Sequence, residues 1–225
     1  MGVDLTGIIG HSLSKEEILA LPGQIDQWEE VHRFFASYSG DSYSQAKWDG
    51  YMDEEQLELI WRSFESPEMD QTSTSKLMNV DSVIDCTFGT LAIYRKTLLI
   101  THRNHKYSNL RNPDTAKNIL ILNRLIAKRF NQQEIIYCAD SGYPTQSIEH
   151  TALFGADFAE IKAHAFTHFG IPPLGLEEAR KYMFFIDRTD AEPGEMTVWE
   201  GESPYWRYNE EAGDYQLIRI PDEKE

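Results

Sequence analysis

The chain has 225 residues, 37 of them Asp or Glu against 21 Lys or Arg, for a formal net charge of −16. That surplus repels nucleic acid and anionic membrane surfaces and attracts basic partners. With 41% apolar and 12% aromatic residues the composition is that of a folded chain, not of a disordered acidic segment, and no apolar run approaches the roughly 20 residues of a membrane span.

The charge is sorted along the chain. Residues 1–70 carry 15 acidic against 4 basic side chains, residues 71–130 carry 3 against 10, and residues 131–225 carry 19 against 7. The opening MGVDLTGIIG has an early Asp4 and no basic n-region, so it does not read as a secretory signal. Gly2 and Thr6 meet the loose myristoylation pattern, but Val3, Leu5, Ile8 and Ile9 read as a buried strand over residues 2–9. Cys86 and Cys138 sit in apolar, strand-like surroundings and read as buried free thiols of a reducing compartment, which makes the cytoplasm the expected location.

In chain order, Ser14-Lys15-Glu16-Glu17 predicts a capping box opening a short helix that stops near Pro22-Gly23. Ile25, Trp28, Val31, Phe34 and Phe35 recur at three and four and predict a second helix over 25–38. A polar loop over 39–50 leads to an acidic helix over 53–65, with Leu57, Ile60, Trp61 and Phe64 inward, and residues 66–75 are the best linker. Residues 87–94 and 97–102 predict a hairpin turning at Arg95-Lys96, followed by a basic loop over 103–113. Ile119, Leu122, Leu125, Ile126 and Phe130 form one face of a helix over 114–130, and residues 134–139 a short buried strand. Helices broken near Gly155 cover 146–169, and a strand follows at 182–187. This strand–helix alternation predicts a parallel α/β unit. Residues 196–200, 205–209 and 215–220 read as an antiparallel meander. The expected fold is therefore α+β, a single domain with N-terminal helices, a central α/β unit on a mixed sheet and a C-terminal meander. Its subdivisions would fall at 1–70, 76–190 and 191–225.

Three groupings could carry chemistry. A parallel unit binds ligands beyond the carboxyl ends of its strands. Those ends offer Thr101-His102-Arg103-Asn104-His105-Lys106, Asp140-Ser141-Gly142-Tyr143 and Asp187-Arg188. An enzyme built there would use His102 and Asp140, with Arg103 or Arg188 holding an anionic group. The same residues also suit turns and helix entries, where polar groups must begin. Glu160, His164 and His168 are spaced four apart on one helix and outline a metal face, although Ala165 replaces the glutamate of a His-Glu-x-x-His site and a core-edge histidine explains His168 as well. The basic cluster of His102, Arg103, His105, Lys106 and Arg111 suits either an anion or the chain's own acidic surface.

Acidic side chains alternate with aromatic ones in two places. The N-terminal set is Trp28, Glu29, Glu30, Trp48, Glu54, Glu55, Glu58 and Trp61; the C-terminal set is Trp199, Trp206 and Tyr208, among Glu200, Glu202, Glu210, Glu211 and Asp214. Aromatic anchors inside a charged rim are the composition of a protein interface, and a solvated helix face gives the same pattern. No nucleotide loop, thiolate zinc set or cofactor signature is present, so no cofactor is expected. In composition the chain resembles bacterial toxin-immunity proteins: small, acidic, aromatic-rich and without a catalytic signature. The resemblance covers no aligned stretch and transfers no residues. It implies a non-enzymatic inhibitor of a basic protein such as a nuclease toxin; the enzyme with its site at the strand ends is the alternative.

Overall fold

The sheet is built around its first strand. The computed structural model describes residues 4–48, 83–106, 109–110, 112–139, 146–170, 184–190, 206–209 and 214–217; of 103–106, 206–209 and 214–217 it describes the backbone. Strand β1 (Asp4–Gly10) is buried at every position after Asp4. It pairs with β5 (Thr97–Lys106) on one side and β6 (Glu134–Ala139) on the other. Beyond β5 lie β4 (Gly89–Ile93), β3 (Val83–Cys86) and the two-residue β2 (Lys47–Trp48); beyond β6 lies β7 (Phe184–Arg188). The order is β2-β3-β4-β5-β1-β6-β7.

Every pairing in this sheet is antiparallel, which corrects the expected parallel unit and mixed sheet. β5 and β6 do run in the same direction, as one intervening helix requires, but β1 is inserted between them. Among the described residues two helices lie between β6 and β7 in the chain, and β7 pairs antiparallel with β6. The expected boundary near residue 70 does not divide the sheet, because β1 and β2 share it with the central strands.

Period two sorts the side chains onto two faces. Leu5, Ile9, Leu98, Ile100, Ile135, Tyr137 and Phe185 pack with α1 (Lys15–Leu19), α2 (Leu21–Ile25), α3 (Glu29–Ser39) and α4 (Pro113–Arg129). Ile8, Leu99, Ile136, Cys138, Phe184 and Ile186 pack with α5 (Gln146–Leu153) and α6 (Phe158–Phe169). The result is a helix–sheet–helix sandwich of the α+β class.

Local chemistry sets the helix ends. Glu17 N donates to Ser14 Oγ at 3.3 Å and Ser14 N to Glu17 Oε2 at 2.7 Å, the capping box read from the sequence. Pro22-Gly23 does not end the helical region: it lies inside α2, with Pro22 in the first turn, where a missing N–H costs nothing. α3 starts at Glu29, four residues later than expected, and ends at Gly40 in the left-handed conformation. α4 follows the Asn112 cap, and Gly155 at φ 84° separates α5 from α6. β5 runs on to Lys106, through residues expected in a basic loop. β8 (Trp206–Asn209) and β9 (Asp214–Leu217) form an antiparallel pair. The expected helix over 53–65, the linker over 66–75 and the strand over 196–200 lie outside the described residues. No helix among the described residues is long and apolar enough to cross a membrane.

Candidate functional site

Polar side chains are buried where α4 crosses the sheet. Asn123 and Arg124 project from the helix face that also carries Ile119, Leu120 and Ile126, and both are buried. Room for Asn123 comes from β1: a Cβ on Gly7 would stand 3.1 Å from Asn123 Nδ2 and 3.6 Å from the Tyr137 ring. Asn123 Oδ1 lies 2.7 Å from His102 Nε2. A carbonyl oxygen only accepts, so Nε2 carries the proton and the ring's basic nitrogen is Nδ1. The Tyr137 ring stacks on Phe185 at 4.7 Å, and burial followed by the charge of Asp187 pushes its phenol well above the ordinary value.

Beside Tyr137, Arg124 holds Asp187 through two contacts, Nε to Oδ2 at 2.7 Å and Nη2 to Oδ1 at 2.6 Å. Burial pulls the Arg124 guanidinium down, but the hydrogen bonds and charge of Asp187 outweigh it and raise it above its ordinary value. Burial acts oppositely on Asp187, raising its carboxyl against the guanidinium's pull. The paired in-plane contacts are those of a guanidinium with a carboxylate, so the pair is ionised. This layer draws on β5, α4, β6 and β7, is shut off from solvent, and fixes how α4 sits on the sheet.

Only part of the expected strand-end cluster meets here. His102 joins the buried layer, and Asp187 joins it from β7. Arg188 points the other way, as alternation along a strand demands, and its guanidinium Nε donates to Asp190 at 2.9 Å. Arg188 is also at the wrong end: it faces Glu134 at the start of β6, whereas Leu5, close to the level of His102, faces Ala139 at its finish. Five residues of strand put about 17 Å between those levels. Arg103 belongs to the backbone of β5, and Asp140 lies outside the described residues. Asn123, Arg124 and Tyr137 complete the layer and are not among the expected site residues. Asn123 was legible, since it lies four residues after Ile119 and three before Ile126, on the apolar stripe itself.

The acidic and aromatic candidates separate as well. Trp28 is no surface anchor: it is 6% exposed, with its ring edge-on to Phe130 at 5.8 Å. Trp48 is half-buried against the same core. Glu29 and Glu30 point outward, in long ion pairs with Arg33 at 3.7 Å and Arg129 at 3.8 Å. Trp206 and Tyr208 stand in β8 opposite Leu217 and Tyr215. Glu54, Glu55, Glu58, Trp61 and Trp199 lie outside the described residues. Tyr43, which the sequence reading passed over, is 50% exposed and stands edge-on to His32 at 4.6 Å.

Of the three residues read as a metal face, Glu160 is committed elsewhere. Its Oε2 accepts from Asp157 N at 2.7 Å, closing the cap of α6. His164 and His168 do stand together, with ring centroids 4.3 Å apart, and His164 Nε2 is 3.1 Å from Ser147 Oγ on α5. Burial, and then the neighbouring His168, lower the His164 imidazole, which keeps it neutral. Among the described residues no group of three His, Cys, Asp or Glu is placed to hold a metal ion. Compared with protein-family models, with curated proteins and with solved structures, the chain has no match.

Proposed function

We propose that this is a non-enzymatic binding protein that neutralises a basic protein partner, as an immunity protein does with a nuclease toxin. The observation that carries the reading is the unmatched carboxylate surplus. If every Lys and Arg engaged one carboxylate, 37 − 21 = 16 would still lack a cation. In the described N-terminal segment Glu16, Glu17, Glu29, Glu30 and Asp41 are all exposed. Such a surface speeds encounter with a basic protein, and its carboxylates suit a cleft made for phosphates. The enzyme alternative rests on His102, Asp140 and Arg103 or Arg188; His102 is buried, Arg188 stands opposite Glu134 at the other end of β6, and Asp140 lies outside the described residues.

The test is affinity capture by the full chain from its native organism, at low and at high salt, followed by kinetics with the recovered protein. The expected partner is strongly basic. Its association rate falls about tenfold or more between roughly 50 and 500 mM salt, and its activity is suppressed at one equivalent. Recovery of neutral or acidic partners alone would overturn the proposal.

A further inference from the structure

We infer that His164 and His168 form a two-imidazole site for a divalent first-row metal ion of tetragonal preference, copper(II) or nickel(II), on α6. Residues four apart on a helix lie one above the other, so both rings rise from the same face. The spacing of the rings speaks to the ion. A metal–nitrogen bond of about 2.1 Å places the metal roughly 3.2 Å from each ring centre. With one nitrogen of each ring turned to a common ion, centroids kept at their 4.3 Å spacing would subtend about 85° at it. That is close to the right angle of square-planar or octahedral coordination, whereas a tetrahedral ion such as zinc would need centroids about 5.2 Å apart.

The surroundings support the pair. Ser147 Oγ, 3.1 Å from His164 Nε2, can accept its proton and leave Nδ1 as the ligand, the usual arrangement behind a metal-bound histidine. Ser147 is itself held, since Thr151 Oγ1 donates to its carbonyl at 2.7 Å. Two charged neighbours on α6 are engaged elsewhere: Glu160 closes the helix cap, and Lys162 Nζ is 2.8 Å from Glu134 Oε2. His168 is exposed, so an ion arrives directly from solvent, and water completes its coordination. The net charge of −16 draws cations to the surface.

The test is calorimetric titration of the full chain with copper(II), nickel(II) and zinc(II), together with electron paramagnetic resonance of the copper form. Copper is expected to saturate at one equivalent with micromolar affinity and a tetragonal signal split by two equatorial nitrogens. His168→Ala removes an exposed ring and leaves the fold intact by circular dichroism. It should weaken copper binding about tenfold or more and reduce the splitting to one nitrogen; His164→Ala should do the same. Nickel should broaden the amide resonances of residues 160–169 in the parent chain and not in His168→Ala. Absence of saturable binding, a tetrahedrally distorted copper signal, or affinity unchanged in His168→Ala would overturn the inference.

Discussion

At Gly89 the backbone takes φ of 151°, and a Cβ would collide with the Thr101 carbonyl on the facing strand. Neither atom is a flexible tip that could step aside. Gly89→Ala should therefore cost at least about 2 kcal/mol, read as a lowered urea midpoint at constant slope. The Arg124–Asp187 pair makes a different prediction. Removing one partner strands a buried charge, so Arg124→Met alone should cost about 3–5 kcal/mol, while Arg124→Met with Asp187→Leu should cost less than that single change. Denaturation of both variants decides it; a double variant worse than the single would show that the polar layer does more than fix α4. His11 supplies the pH dependence. Its Nε2 donates to the Tyr94 carbonyl at 2.8 Å and its Nδ1 accepts from Leu13 N at 3.1 Å, so the fold holds the neutral ring. Burial lowers its imidazole below the ordinary 6.5. The unfolded chain then takes the proton more readily than the folded one. The stability this contributes is full above pH 6.5 and declines as the pH falls toward the folded value. The urea midpoint should drop between about pH 7.5 and 5.5, and less steeply in His11→Gln. None of these three roles is readable from residue type. A glycine at positive φ, a charge that finds its partner 63 positions away and a ring held by two backbone groups all depend on contacts the local sequence does not encode.

Elements were more legible than residues, and for a physical reason. A helix is specified by contacts three and four residues apart, so the stripe of α4, the capping box of α1 and the break at Gly155 could all be read directly. Ser14→Ala should loosen the first turn of α1 at a cost of about 1 kcal/mol, seen as faster amide exchange at Glu16 and Glu17 than in the parent chain. Protection unchanged at both amides would show that packing of Ile18 alone holds that turn. Strand pairing is another matter. The alternation of strand and helix through residues 87–187 is real, yet it gives antiparallel neighbours because a distant segment, β1, occupies the slot where a parallel partner was expected. β2 and β3 went unread since two and four residues are too few to show a period. Trp28 shows the same limit at the candidate interface: neighbouring glutamates suggested a rim, but the helix turn puts the ring under Phe130 and the carboxylates outside.

For the whole molecule, net charge was the most reliable thing the sequence offered, since 16 uncompensated carboxylates cannot be paired away by any fold. They should also strain the folded state. Raising sodium chloride from about 50 to 500 mM should raise the thermal midpoint by screening this repulsion. A midpoint that falls would mean that the surface ion pairs outweigh the surplus. The buried polar layer was beyond reach at this scale, because it is assembled from four elements whose order in space differs from their order in the chain. That same ordering affects how the protein is made. The central strand is synthesised before both of its neighbours: the first of them, β5, leaves the ribosome about 90 residues later, roughly 5–20 s at ordinary elongation rates. Until then Leu5, Ile8 and Ile9 have no sheet to enter. Translation thus leaves a greasy, two-edged ribbon waiting in the open, and the nascent chain should depend on a holding chaperone more than its modest size would suggest.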